Sequence, residues 1–299
     1  MGCNKLKTNV KLDYIQDFEM MFERMKLKRP REAAIYYVTM VIDNPKEFST
    51  FLDIADELAN ITRRPLETGR SCLLKAGIIA KVLFSKENNE EFGRESFLPV
   101  HPKAIWENIK DDLKKFIAED TYKSIKKRME NYTEYYLKNF EKYGIKLKRN
   151  GNVTLQYSGK WILYNILQNA LSKKDSLKLQ IGGDHFFKQP YINYFKKLLD
   201  LDTDIQLIMD TDIDRKTAEK LIEEYGDKLD IRYFSHEDIH GTMRNCVFGK
   251  ELAVNGVKIL PDGGDEPSYV GTAYVQLDDI EQLNSKFKTM WDIAKPLKN

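Results

Sequence analysis

The stretch Phe48–Val82, FSTFLDIADELANITRRPLETGRSCLLKAGIIAKV, decides the reading of the N-terminal half. Leu52, Ala55 and Leu58 recur at helical spacing, and Asn60 supplies a natural break. Thr62 is placed to cap a second helix. On that helix Leu66, Leu73 and Leu74 face inward, whereas Arg63, Arg64 and Arg70 lie on a polar face. Gly77 ends the helix where a left-handed residue costs glycine nothing, and Ile78–Val82 runs on as a strand. Within Ile61–Lys81 five basic residues, Arg63, Arg64, Arg70, Lys75 and Lys81, face one acid, Glu67. A basic helix held by a second helix is what the major groove of DNA accepts. The stretch predicts a DNA-binding chain.

On either side the pattern extends. Tyr14, Ile15, Phe18, Met21, Phe22 and Met25 recur at three and four, so Leu12–Leu27 reads as an amphipathic helix. Pro30 opens another, Arg31–Ile42, broken by Asp43-Asn44-Pro45. After Val82, Leu83–Val100 reads as a hairpin with a polar tip, Ser85–Arg94, returning through Phe97-Leu98-Pro99-Val100. Helix, helix, helix, hairpin is the order of a winged helix. Arg63 and Arg64 then stand at the start of the recognition helix, aimed at base edges, with Arg70 and Lys75 further along toward phosphates. Lys81, Lys86 and Arg94 on the hairpin add backbone contacts, although Glu87, Glu90 and Glu91 crowd its tip with acid.

Composition bounds the rest. At 299 residues the chain is expected to hold two or three domains, and 42% apolar content suffices for real cores. A net charge of +2 means that any nucleic-acid site is a local patch. Cys3, Cys72 and Cys246 are far apart and odd in number, which argues against a disulfide framework and for a reducing cytoplasm. The N-terminus carries no apolar signal core, and no apolar run is long enough to span a bilayer. A cytoplasmic protein without membrane partners is expected.

From Pro102 to Tyr143 the helical pattern continues without a later Gly or Pro, with one slip near Asp120. A helix of that length spans about 60 Å, too long for burial in one small domain, so a dimerising coiled coil is expected. The alternative is a long helix lying along its own C-terminal domain. Beyond the basic hinge Lys146–Gly151, helix and strand alternate. Helices are expected at Lys160–Leu171, Pro190–Leu199, Lys216–Tyr225 and Asp278–Ala294. Strands are expected at Leu177–Ile181, Ile205–Met209, Leu229–Phe234, Cys246–Phe248, Leu252–Val254, Val257–Leu260 and Gly271–Val275. Such alternation indicates an α/β domain with a covered sheet.

The run KAGIIAKV, the hairpin exit FLPVHPKAI, the long helix, and GKWILYNIL before LKLQIGGD together resemble the TrmB-type archaeal transcriptional regulators. The resemblance covers most of the chain from about Arg31 onward, by order of elements more than by a diagnostic motif. It implies a dimer with a DNA-binding winged helix, a coiled-coil linker and a phospholipase D-like effector domain that commonly senses a sugar. By resemblance Arg63, Arg64 and Arg70 fall on the recognition helix; no sugar-binding residue carries over. The helix Leu12–Leu27 is a departure from that plan.

A phospholipase-like domain raises the question of catalysis. The motif requires His, any residue, Lys, four residues, then Asp. After His240 the corresponding positions are Thr242 and Val247, and His185 and His236 have Phe187 and Asp238 at the lysine position. His101-Pro102-Lys103 ends in Asn108 and sits at a helix start. A phosphodiesterase or nuclease is therefore the weakest reading. His236 and His240 lack a third ligand for zinc, and Asp210, Asp212 and Asp214 lack the glycine and glutamate of a calcium loop. No metal or cofactor is expected. Asp184 and His185, just after Leu177–Ile181, and His240 are the tentative effector-binding residues, because open α/β sheets bind ligands at the carboxyl ends of strands; a plain tight turn at Gly182-Gly183 is the rival explanation. The loop Pro261–Pro267 is a candidate lid or simply surface.

The expected architecture is α+β multidomain. A helical extension occupies 1–29, a winged helix-turn-helix 30–101, a coiled-coil linker helix 102–145, and an α/β phospholipase D-like domain 146–299. The expected function is a dimeric, sequence-specific transcription regulator with a signal-sensing C-terminal domain. Its partners are double-stranded DNA, a second copy of itself, and a small-molecule effector. The rival makes the C-terminal domain a protein-docking module.

Overall fold

The computed structural model describes residues 8–84, 96–141, 153–158, 161–173, 175–181, 191–209, 215–234, 243–259 and 268–297. The chain divides into two compact units, Met1–Gly151 and Asn152–Asn299.

Unit 1 is organised around one helix. α1 (Leu12–Arg24), α2 (Pro30–Ile42), α3 (Phe48–Ala59) and α4 (Arg63–Lys75) precede the strands β1 (Ile79–Phe84) and β2 (Ser96–Pro99); α5 (Pro102–Phe116), α6 (Glu119–Tyr136) and a π-helical turn, Leu137–Glu141, follow. Every residue from Ala33 to Ile42 is buried, so α2 is apolar all round and α1, α3, α4 and α6 pack about it. Phe18 and Phe22 of α1 lie against Tyr37 of α2 with ring centroids 4.8 and 5.7 Å apart, and Tyr132 of α6 closes the cluster at 5.0 Å from Phe18. β1 and β2 pair antiparallel, Ile79 opposite Pro99 and Val82 opposite Ser96. The Tyr37 hydroxyl donates to the Val100 carbonyl at 2.6 Å, tying the hairpin's exit to the central helix.

Two expectations fail here. The continuous helix expected over 102–145 is interrupted: Ile117 takes an extended conformation, φ −117 and ψ 156, and α6 starts afresh after Ala118. α5 and α6 pack on each other, with Trp106 and Tyr122 at 5.1 Å. Ile125, Met129, Tyr132 and Tyr136, the apolar stripe that a coiled-coil seam would need, are instead buried within unit 1. Nor is 1–29 an extension, because Phe18, Met21 and Phe22 have no exposed surface. The described residues of the segments expected as extension, winged helix and linker share one core.

An ion pair joins the first helix to the last. Asp17 of α1, 1% exposed, accepts from Arg128 Nε and Nη2, both at 2.7 Å, and from the Tyr132 hydroxyl at 2.6 Å. Burial, reinforced by the neighbouring carboxylate, pushes the Tyr132 hydroxyl far above its ordinary range. Further along, Asn139 donates to both the Val41 and Ile42 carbonyls at 2.8 Å, satisfying groups that the end of α2 would leave orphaned.

Unit 2 contains β3 (Val153–Ser158), α7 (Trp161–Lys173), β4 (Leu177–Ile181), α8 (Tyr191–Asp200), β5 (Ile205–Met209), α9 (Arg215–Tyr225) and β6 (Leu229–Tyr233). β7 (Met243–Phe248), β8 (Leu252–Ile259), β9 (Ser268–Tyr274), α10 (Leu277–Ile293) and the short β10 (Lys295–Pro296) complete it. Its strands run in the order β10-β6-β5-β4-β7-β8-β9-β3. β4, β5 and β6 are parallel and the remaining pairs antiparallel. The near-continuous burial of β4 and β5 is that of strands covered on both faces. Ile280 and Leu283 of α10 pack on Val247 and Ala253, and Phe287 and Trp291 on Ile208 and Phe234. The alternation expected from the sequence is present, with two differences. Leu252–Val254 and Val257–Leu260 belong to one strand, because Gly256 stays in the ladder opposite Arg244 and Gly271. β3 was not expected.

Removing the buried carboxylate leaves Arg128 without its bidentate partner. Asp17→Ala should lower the unfolding free energy by about 3 kcal/mol, the low end for a broken buried pair because Arg128 keeps some contact with water. Urea denaturation measures it; a loss below about 1 kcal/mol would show that the pair does not hold α1 to α6.

His101, fully buried at the start of α5, accepts the Lys103 N–H on Nδ1 at 3.1 Å and therefore caps the helix as the neutral ring. Burial first, and Lys103 second, lower its pKa from 6.5 to about 3. The folded state thus refuses a proton that the unfolded state accepts below 6.5, so stability present above that value is lost as pH falls toward 3. His101→Asn, which keeps an acceptor but does not titrate, should flatten this slope by up to about 1.4 kcal/mol per pH unit. Identical slopes in the two proteins, by denaturant titration between pH 4 and 6.5, would contradict the assignment.

Candidate nucleic-acid interface

Local chemistry sets the angle between α3 and α4. α3 stops at Asn60, which adopts the left-handed conformation with φ 53 and ψ 39. The Ile61 N–H then reaches back to the Ala55 carbonyl at 3.2 Å, and the Ile61 side chain is buried. Thr62 occupies the N-cap with extended backbone, yet its hydroxyl makes no capping bond, contrary to expectation. At the far end Gly77 has φ 71, and the Gly77 and Ile78 N–H groups donate to the Leu74 and Leu73 carbonyls. This paired arrangement closes the helix as the glycine's position implied.

α4 buries Leu66, Gly69 and Leu73. Gly69 is the point of closest approach to α2: a Cβ there would stand 2.6 Å from the Glu32 carbonyl carbon and 2.7 Å from the Ala33 nitrogen. No side chain fits between the two backbones. The opposite face carries Arg64, Thr68, Ser71 and Lys75, at spacings of four, three and four, and all four are exposed. Thr68 Oγ1 donates to the Arg64 carbonyl and Ser71 Oγ to the Glu67 carbonyl, both at 2.9 Å. Arg64 and Lys75 have no ion-pair partner among the described residues. The result is a polar ridge about 16 Å long at the helical rise, cationic at both ends and free of acid along its crest.

The other expected contact residues occupy different places. Arg63 is exposed on the flank, 3.8 Å from Glu67, with its guanidinium 5.5 Å from the Phe48 ring centroid. Arg70 does not join the outer ridge. Its guanidinium lies 5.3 Å from the ring centroids of both Phe48, at the start of α3, and Phe97, on β2. There it fixes the hairpin and α3 against α4 by cation–π attraction instead of reaching outward for phosphate. Lys81 is half-buried on β1, opposite Phe97. Lys86 and Arg94 lie outside the described residues, as do Asp184, His185, His236, His240, the three aspartates 210, 212 and 214, and the loop 261–267.

One basic segment was missed by sequence reasoning. Arg24, Lys26, Lys28, Arg29 and Arg31 are all exposed around the α1–α2 turn, with no acid between them. The signal was present as RMKLKRPR, but the apolar periodicity running to Leu27 drew it into a helix. In unit 2 the described residues include no group of three metal-ligating side chains. They do hold a hydrogen-bonded carboxamide row: Asn245 donates to the buried Gln180 at 2.5 Å and accepts from Asn255 at 3.1 Å. No helix among the described residues is long and apolar enough to cross a membrane.

No family model matches the chain, and no curated protein matches it significantly. Among solved structures it is similar to TrmBL2, an archaeal chromatin protein, at 16% identity and a TM-score of 0.33, over 94% of this chain and 98% of that one. It is also similar to NucT from Helicobacter pylori, at 10% identity and a TM-score of 0.36, over 48% of this chain and 98% of that one. Nuc from Salmonella typhimurium, a phospholipase D family member, gives 12% identity and a TM-score of 0.35, over 48% of this chain and 97% of that one. All three identities and scores are low, so function is argued from the residues.

Because α4 is held at van der Waals distance from α2 backbone, Gly69→Ala should force the helices apart. A destabilisation of about 1–3 kcal/mol is expected by thermal or urea unfolding, as for overpacked cores. An unchanged midpoint would show that the crossing can open at no cost.

Proposed function

We propose that this chain binds double-stranded DNA through α4, as a winged helix does, and acts as a transcription regulator. The observation that supports the reading is the outward ridge Arg64–Thr68–Ser71–Lys75, carried on a helix whose opposite face is locked to α2 at Gly69. An α-helix fits the major groove of B-DNA, and such a ridge offers it hydroxyls between two exposed cations. Arg64, in the first turn, is assigned to a base edge; Lys75, in the last, to phosphate. Arg70 supports the helix from behind.

Unit 2 is proposed as the regulatory part. The carboxyl ends of its parallel strands β4, β5 and β6 share one edge of the sheet, where α/β proteins bind ligands. We take the DNA-bound form to be a dimer reading two half-sites, about 34 Å or a multiple apart. The paired surface is not the inner face of α5 and α6, which unit 1 covers. No catalysis is assigned, since Thr242 and Val247 stand where the phosphodiesterase motif after His240 needs lysine and aspartate.

Arg64→Ala should weaken binding to the preferred site by about 1–3 kcal/mol and relax its sequence preference. Lys75→Ala should weaken all duplexes alike and reduce the salt dependence by about one counterion. Gel-shift titrations with the full-length protein measure both, on sites first selected from random duplexes. Unchanged affinity in both variants would remove α4 from the interface.

A further inference from the structure

The backbone of the α1–α2 turn, which carries a run of cations, is fixed by hydrogen bonds at both ends. α1 ends with Lys26 in the left-handed conformation, φ 58, its N–H on the Glu23 carbonyl at 2.9 Å and the Leu27 N–H on the Phe22 carbonyl at 3.0 Å. The Ala33 N–H donates to the Arg29 carbonyl at 3.0 Å, and Pro30 fixes the first position of α2. Between these two anchors Lys26, Lys28, Arg29 and Arg31 project into solvent. Arg24 is held over the Phe116 ring at 4.1 Å, and Arg29 lies 3.5 Å from Glu32. The acids around the turn, Glu19, Glu23 and Glu32, sit on the helices that flank it; Glu32 meets Arg29 and Glu19 faces Arg31, while Lys26 and Lys28 have no acid between them on the turn.

The turn also lies beside α4. Gly69 touches the backbone of Glu32 and Ala33, and Pro30 is only two residues earlier, about 3 Å along the axis of α2. Folding therefore brings the start of α2, and with it Lys28–Arg31, to the Gly69 side of α4, so that the turn flanks this helix without joining the Arg64–Lys75 ridge. Like charges held on one small unit repel, and a polyanion that reaches both the turn and the ridge relieves that repulsion. The segment has no apolar face for a bilayer: Leu27 is half-buried, and the α2 residues that follow Glu32 are buried throughout.

We propose that the α1–α2 turn is a second phosphate-contacting element, with Lys28 and Arg29 engaging the DNA backbone beside the segment occupied by α4. The proposal rests on α4 binding DNA and adds a contact that is independent of base sequence.

Counterion release provides the test, because each neutralised phosphate contributes about 0.9 to the slope of log K against log salt. Fluorescence anisotropy of the full-length protein with a random-sequence duplex three helical turns long gives that slope. Lys28→Gln and Arg29→Gln should each reduce it by about 0.9, and the double variant by about 1.8, with unchanged thermal midpoints. Lys250→Gln, an exposed charge of unit 2, should leave it as it is. Unchanged slopes in both turn variants overturn the proposal, as does an equal reduction by Lys250→Gln. If Arg64→Ala and Lys75→Ala weaken binding while the turn variants do not, the assignment of α4 stands and this one falls. If the unaltered protein ignores duplex DNA, both fall. Binding to phosphatidylglycerol vesicles that the turn variants abolish, with duplex slopes preserved, would make the turn a lipid contact and refute it.

Discussion

The bidentate pair between Asp17 and Arg128, with Tyr132 as a third donor, is the constraint from which unit 1 takes its shape. A carboxylate with 1% exposure has lost its water and needs hydrogen-bond donors in exchange, and among the described residues α6 supplies them. The first helix is therefore obliged to find a segment more than a hundred residues away in the chain. Once they meet, the aromatic cluster Phe18, Phe22, Tyr37 and Tyr132 closes around α2. Such a pair adds little net stability over an apolar replacement, but it discriminates strongly between correct and incorrect docking of α6.

The central helix then serves as the ruler for α4 and the hairpin. Tyr37 places the end of β2, Gly69 sets the height of α4, and Arg70 between two phenylalanines sets the hairpin against α4. Arg64 and Lys75 are thus displayed by a rigid support whose conformation does not have to be assembled on binding. Preorganisation of this kind keeps the entropic cost of association low.

Much of the N-terminal half was legible because its signals are local. Asn60, Gly77 and the Leu66–Leu73 spacing act within one or two turns, and the structure places helix, turn, helix and strand where these residues imply. What escaped depends on distant partners. Asp17 reads as one more polar residue on an amphipathic helix, since nothing nearby announces Arg128. The break at Ile117–Ala118 carries neither Gly nor Pro, and apolar residues continue on both sides, so periodicity alone made one helix of two. Arg70 was grouped with Arg63 and Arg64 by charge, although Phe97 redirects it. In unit 2 the alternation of elements was readable. Asn255-Gly256 divided the apolar run of β8, whereas its two flanking strands hold it straight. The residues chosen as effector contacts lie outside the described part of the chain.

Asn139 has a consequence for how this molecule can be divided. Its carboxamide finishes a helix that ends almost a hundred positions earlier, and Tyr132 fills the middle of the same helix's packing. A fragment cut after the hairpin, as the boundaries of a free-standing winged helix would suggest, would uncover Phe18 and take from the Val41 and Ile42 carbonyls the donor that finishes α2. The smallest self-contained piece of unit 1 therefore runs from α1 through the π-helical turn, and recombination or engineering that treats α5 and α6 as an interchangeable stalk would remove Ile105, Ile109, Ile125 and Met129 from its interior.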